Sequence, residues 1–375
     1  MTDINQRLSR LRARRNGTDR FDHITQDAKD FINNKSRTAE AWERRSKDKP
    51  STTYALGAMQ PVDADYTRIS LETAERVRNQ LSTRLQTVGI PTEYRLQGSV
   101  PLDVHIRGVS DVDLLTLRTD FFTFDPAGIV STRGGYNLSS RNSKEVLIEL
   151  RAHSERQLRL AFPAVNIDSS GGKAIKLTGG SLPRPVDVIS SHWFNTTAYQ
   201  SSNTEHDRAV TIYDKAADIT IDNWPFTHIK LVKDLCDTTG GGLRKAIRLC
   251  KSVKADIEED GRKVNLSSFD ITACMYHADM QQFRNGVVYE LTILAEAQRF
   301  LDILWQDKAF ARTLRVPDKS RLIFDDEKKF EGLLALSAAM DELLIQVAKE
   351  NSFLLVLKEK PGHAESRNVL TSIYV

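Results

Sequence analysis

Two aspartates one residue apart, Asp111 and Asp113, stand at the head of the run DVDLLTL. On a strand, residues i and i+2 share a face, so both carboxylates point one way while Val112 points the other. Held that close they repel, and one takes up a proton unless a cation lies between them. Mg²⁺ is commonly held by one or two carboxylates plus substrate phosphates, so a metal site removes the conflict. Alone, the pair is a weak signal, since two solvated acids at a strand end are common, and its company gives it weight. Upstream, Gly98 and Ser99 follow the strand-like run TEYRLQ. There free backbone N–H groups and a hydroxyl can meet a triphosphate, and glycine lets the backbone come close. Downstream, Asp187 interrupts the apolar run PVDVI. A carboxylate on a buried strand needs a partner, either a metal or a hydroxyl. Asp168, ahead of Ser-Ser-Gly-Gly, is the fallback third acid, although a hairpin-turn role suits it better.

Arg244, Arg248 and Lys251 fall at helical spacing in RKAIRLCKSVK and form a positive stripe, read either as phosphate ligands or as a solvated basic face. Trp193, Phe194 and Tyr199 follow Asp187 and read as core rather than as base-stacking surfaces. His206-Asp207 lacks the further ligands of an HD-type phosphohydrolase, and Thr238 to Gly242 lacks the Gly-Lys-Ser/Thr ending of a P-loop. Cys236, Cys250 and Cys274 are odd in number and unsuitably spaced for a disulfide framework or a zinc site, so they read as core thiols.

The elements that must position these groups follow from periodicity. Ile69, Val77, Leu81, Leu85 and Val88 recur at helical spacing, with Ser70 as a cap, Gly89 as the end and Pro91 beyond. TEYRLQ and DVDLLTL read as strands, a helix covers Lys144 to Leu160, and AVNID, KAIKLTG and RPVDVIS read as strands in an antiparallel arrangement. Helices resume after His192, and the stretch from Trp224 to the end is mostly helical, with Pro225 at a helix start and long apolar-periodic segments from Val287 to Trp305 and from Glu327 to Ala348. This pattern predicts an α+β lobe with a mixed sheet, then a helical lobe, with the active site in a cleft between them. The expected divisions are a loosely attached helical arm over 1–51, containing the amphipathic HITQDAKDFI, a catalytic core over 52–205 and a helical domain over 206–375.

The segment GSVPLDVHIRGVSDVDLLTL, with VDVIS as the strand of a third carboxylate, resembles the signature of the polymerase β-like nucleotidyltransferases. Within that class, residues 65 to 300 look like the bacterial cGAS/DncV-like nucleotidyltransferases, the CD-NTases. The N-terminal arm and the last 70 or so residues fall outside the resemblance. It implies a polymerase β-like fold and transfer of a nucleotidyl group with two Mg²⁺ ions, or Mn²⁺ in their place. It also implies roles: Asp111 and Asp113 on both ions, Asp187 on the ion at the attacking hydroxyl, Gly98 and Ser99 at the donor phosphates, and Lys251, with Arg248, on the triphosphate. ATP, with GTP, UTP or CTP as further substrates, would be joined into a cyclic di- or trinucleotide in CBASS antiphage signalling. An effector would bind the product rather than the enzyme, and regulatory proteins would be additional partners.

Two other readings compete: a template-independent transferase acting on RNA ends or on a protein hydroxyl, and a binding module that keeps the acids for structure. The formal charge is +3 and the basic residues lie in short clusters, which gives no support to a long nucleic-acid track, so no stable nucleic-acid partner is expected. The 40 % hydrophobic and 27 % charged fractions are those of a folded globular chain. No run approaches the ~18 apolar residues of a spanning helix, and MTDINQRLSRLRARR lacks a secretory apolar stretch, so a cytoplasmic protein without a membrane partner is expected.

Overall fold

The site depends on a seven-stranded mixed sheet: β1 (Thr92–Gln97), β2 (Val112–Phe124), β3 (Asn166–Asp168), β4 (Ile175–Thr178), β5 (Val186–Asn195), β6 (Ala209–Asp214) and β7 (Ile219–Asn223). The computed structural model describes residues 3–16 and 40–375. The strand order is β1-β2-β5-β4-β3, with β6 pairing the later part of β5 and β7 pairing β6. Among the described residues β2 and β5 run parallel, and every other strand pairing is antiparallel.

Alternation decides which side chains look to which face. On one face Leu114, Ile175, Leu177, Val186 and Val188 pack with Val77, Leu81 and Leu85 of the helix Ala64–Thr87 and with Leu150 and Leu158 of the helix Ser143–Ala161. On the other, Leu115, Leu117, Ile189, Trp193, Val210 and Ile212 form a second cluster. The helix Ala64–Thr87 is capped by Asp63, whose carboxylate accepts the Asp65 N–H at 2.8 Å. Ser70 is therefore not the cap; it lies inside the helix with its hydroxyl donating to the Tyr66 carbonyl at 2.8 Å. Gly89, at φ +76°, takes the left-handed turn that ends the element, as its position predicts.

After His192 the chain departs from expectation. β5 runs on to Asn195, and a short helix, Thr197–Ser202, is followed by β6 and β7 rather than by helices alone. The β-branched residues of AVTIY and ITI pack well on a pleated surface, which explains the outcome.

The chain divides into two units, one of residues 63–101 and 110–231, the other of the described residues up to Val62 with 102–109 and 232–375. These bounds differ from the consecutive segments 1–51, 52–205 and 206–375: β6 and β7 extend the sheet beyond residue 205, and residues 52–62 and 102–109 belong with the helical unit. The second unit is helical, with Ile4–Asn16, Pro50–Met59, Gly242–Glu259, Thr292–Gln306 and Lys328–Asn351 among its elements. Cys236, Cys250 and Cys274 are buried free thiols in it. Among the described residues no helix is long and apolar enough to cross a membrane.

The described part of the N-terminal arm is not loosely attached. Leu8 and Leu11 are buried, and so are Arg7 and Arg14. Arg14 Nη2 meets Asp256 Oδ1 at 2.6 Å, Arg7 Nη2 donates to the Tyr54 hydroxyl at 3.3 Å, and that hydroxyl donates to Asp256 Oδ2. The stretch HITQDAKDFI lies outside the described residues. Removing one partner of a buried ionic cluster strands the others, at a cost of about 3 to 5 kcal/mol. Asp256→Ala is therefore expected to lose that much stability in chemical denaturation, and Tyr54→Phe, which removes one hydroxyl, clearly less. Equal losses would contradict Asp256 as the centre of the cluster.

Candidate active site

One polar row crosses the sheet. Gln97 of β1 is registered against Asp113 of β2, Asp113 against Asp187 of β5, Asp187 against Lys176 of β4, and Lys176 against Asp168 of β3. Registered residues point to the same face. The neighbours of these residues, Val112, Leu114, Val186, Val188, Ile175 and Leu177, are buried on the opposite face. Asp113 and Asp187, 74 residues apart in sequence, are thus brought side by side by parallel pairing. Asp111 stands just before β2 rather than within it. Its Oδ2 accepts from the Lys176 ammonium.

Asp187 carries the cost of this arrangement. Burial pushes its carboxyl above the usual carboxylate range; the Lys176 charge opposes that shift, and Asp111 adds to it. Its Oδ1 is buried with no hydrogen-bond partner. A buried carboxylate oxygen without a donor is stabilised by a cation, and hard carboxylate oxygens suit a hard divalent ion. The residues present therefore fit the metal that the resemblance implies. Among the described residues no group of three or more His, Cys, Asp or Glu side chains is gathered as a ready-made metal cage.

Gly98 has φ +79°, and a Cβ built there would come within 2.1 Å of Asp113 Oδ2. The backbone can lie against the Asp113 carboxylate because no side chain intervenes. Gly98 and Ser99 lie in a turn directly after β1.

Arg248 and Lys251 belong to the helical unit, on the helix Gly242–Glu259. They are 4 % and 3 % exposed, which overturns the solvated-face alternative. Arg248 donates to the carbonyls of Met59 at 2.8 Å and Asp103 at 2.6 Å, and Lys251 to that of Val104 at 2.8 Å. Arg244 donates to the carbonyl of Leu102 at 3.2 Å. Burial pulls the Arg248 guanidinium down to about 10. The three cations hold the carbonyls of residues 102–104, which lie in sequence between Ser99 and Asp111.

Asp168 is exposed and accepts the Ser170 N–H at 2.8 Å, the turn role its sequence context favours. Trp193 is buried, with the Arg208 guanidinium 4.2 Å from its ring centroid and 4.6 Å from that of Tyr199. Phe194 packs edge-on to Trp224. Sequence reasoning missed Gln97 and Lys176. Each is a polar residue alternating with apolar ones in a strand, a signal that says which face it takes but not which neighbours it meets.

Gly98→Ala meets two obstacles, a positive φ and the Asp113 carboxylate. The backbone term alone costs about 1 to 2 kcal/mol. The variant is expected to lose at least that much in denaturation and also to lose divalent-ion binding as Asp113 is pushed aside, read by Mn²⁺ titration. Unchanged Mn²⁺ binding would separate Gly98 from the carboxylates.

No family model matches the sequence. The cyclic dinucleotide synthase CdnE of Yersinia aleksiciae is 41 % identical over 357 residues, 92 % of each chain. The structure of a STING-associated CdnE c-di-GMP synthase from Flavobacteriaceae sp. superposes with a TM-score of 0.71 at 19 % identity, covering 93 % of this chain and 99 % of that one. The structure of Rhodothermus marinus CdnE c-UMP-AMP synthase with Apcpp and Upnpp gives 0.58 at 19 % identity, covering 76 % of this chain and 93 % of that one. The structural likenesses show a shared fold, and the Yersinia relative shows descent. The chain belongs to the CdnE family of cyclic dinucleotide synthases, bacterial CD-NTases with the polymerase β-like nucleotidyltransferase fold.

Proposed function

We propose that the chain joins two nucleoside triphosphates into a cyclic dinucleotide second messenger, with Asp111, Asp113 and Asp187 holding two Mg²⁺ ions. As a family member the chain is a nucleotidyltransferase that needs a divalent metal and uses nucleoside triphosphates. The observation that carries the residue assignment is the registered pair Asp113 and Asp187, with the Asp187 Oδ1 buried and unsatisfied. When bound, such ions would neutralise the donor phosphates and lower the pKa of the attacking ribose hydroxyl.

The chain's own residues have separable tasks in this reading. Asp113, against the Gly98 backbone, and Asp111 would face the donor side, where the Gly98 and Ser99 N–H groups and the Ser99 hydroxyl can donate to phosphate oxygens. Asp187, pushed toward the neutral form by burial, would be held ionised at the acceptor hydroxyl by the ion it binds. Arg248 and Lys251 enter through the backbone they hold, the carbonyls of Asp103 and Val104. The relatives' names favour ring formation over transfer to an RNA end or a protein hydroxyl. CBASS antiphage signalling in the cytoplasm, with an effector that binds the product, is the setting this reading gives.

Purified protein supplied with all four NTPs and Mg²⁺ is expected to release a cyclic dinucleotide detectable by mass analysis; linear products alone would sink the reading. Asp187→Asn tests the third carboxylate. The group is needed for chemistry rather than donor binding, so kcat and kcat/KM should fall together by at least about a hundredfold. Calorimetric affinity for a non-hydrolysable NTP with Mg²⁺ should stay near wild type. Burial penalises the charge, so melting without divalent ions should not drop. A lower melting temperature with turnover retained per folded molecule would make Asp187 structural.

A further inference from the structure

Lys176 is a cation in the place where the proposed function needs one. It sits on β4, directly across from Asp187, and Ile175 and Leu177 on either side of it are fully buried on the opposite face. Its stem therefore cannot turn away from the carboxylate face without breaking the core. Its ammonium donates to Asp111 Oδ2, the side chains of the pair being 45 % and 23 % exposed. On its other flank, Asp168 of β3 is its registered partner. The ammonium can thus leave Asp111 and remain among carboxylates, which lowers the cost of moving.

We propose that Lys176 is an internal competitor of the divalent ion, an ammonium that engages Asp111 beside Asp187 and must be displaced before an ion is held there. The inference rests on the assignment of Asp111 and Asp187 as ion ligands. It adds a regulatory consequence: the carboxylates hold an ion poorly by themselves, and binding gains when a nucleotide arrives with its own phosphates to share the coordination. A positive charge on a ligand carboxylate repels the incoming ion and occupies a ligand oxygen, and both effects weaken binding. The physical distinction from a purely structural lysine is the sign of the effect: removing a structural partner loosens the site, whereas removing a competitor tightens it.

The test is Mn²⁺ binding by the full-length protein without nucleotide, followed by the electron paramagnetic resonance signal of free Mn²⁺. Lys176→Met keeps the apolar stem and removes the charge; it is expected to bind Mn²⁺ about three- to tenfold more tightly than wild type, the range of a partly exposed ion pair with a second carboxylate nearby. Lys176→Arg keeps the charge and is expected to stay near wild type. Affinity equal to or below wild type in Lys176→Met, including absence of binding in both, overturns the proposal, as does an equal gain in Lys176→Arg. Asp111→Asn in the Lys176→Met background separates the two levels. If it abolishes the binding, the ion ligands stand whatever the outcome at Lys176; if it leaves Mn²⁺ binding intact, the assignment of Asp111 falls.

Discussion

The parallel pairing of β2 with β5 is the constraint on which the rest depends. It places Asp113 opposite Asp187, and a slip of one residue would turn one of them into the apolar layer that packs on the helices Ala64–Thr87 and Ser143–Ala161. That layer protects the register. Val186 and Val188 flank Asp187, and Leu114 follows Asp113, all fully or nearly fully buried. The hydrophobic pattern that stabilises the sheet therefore also aims the carboxylates.

Gathering acids on one row has a cost that the fold does not remove. Asp187 is buried and one of its oxygens has no hydrogen-bond partner. Stability alone would favour a neutral side chain there, and a site that violates local consistency is where function is usually found. Lys176 offsets part of the cost through charge, and Gly98 leaves room for the Asp113 carboxylate. The same row thus contains the groups that could bind an ion and a group that opposes it.

The helical unit uses its charges differently. Arg7 and Arg14 converge on Asp256, and Arg248 and Lys251 are spent on main-chain carbonyls of a segment without regular structure. Buried cations of this kind satisfy backbone acceptors that no strand or helix ladder reaches. The basic stripe read from helical spacing is real, but it is turned inward.

Much of the site is legible from sequence because its informative features are local. The Asp111-Val112-Asp113 spacing, Gly98 followed by Ser99, and a carboxylate inside Pro-Val-Asp-Val-Ile each state a chemical need within a few residues. The strands TEYRLQ, DVDLLTL and PVDVIS and the helices on either side follow from apolar period and from Gly and Pro breaks. What the sequence left open is what depends on pairing between distant segments. Lys176 alternates with apolar residues as many surface lysines do, and only the β4–β5 register makes it the neighbour of Asp187. β6 and β7 gain their place from β5, which continues beyond the point where periodicity alone ends it. The orientation of Arg248 and Lys251 was likewise undecided, because helical spacing fixes which residues share a face but not what that face meets. Sequence determined which side chains could do chemistry; the tertiary structure decided which of them meet, because a strand's partners are set by non-local hydrogen bonding and core packing.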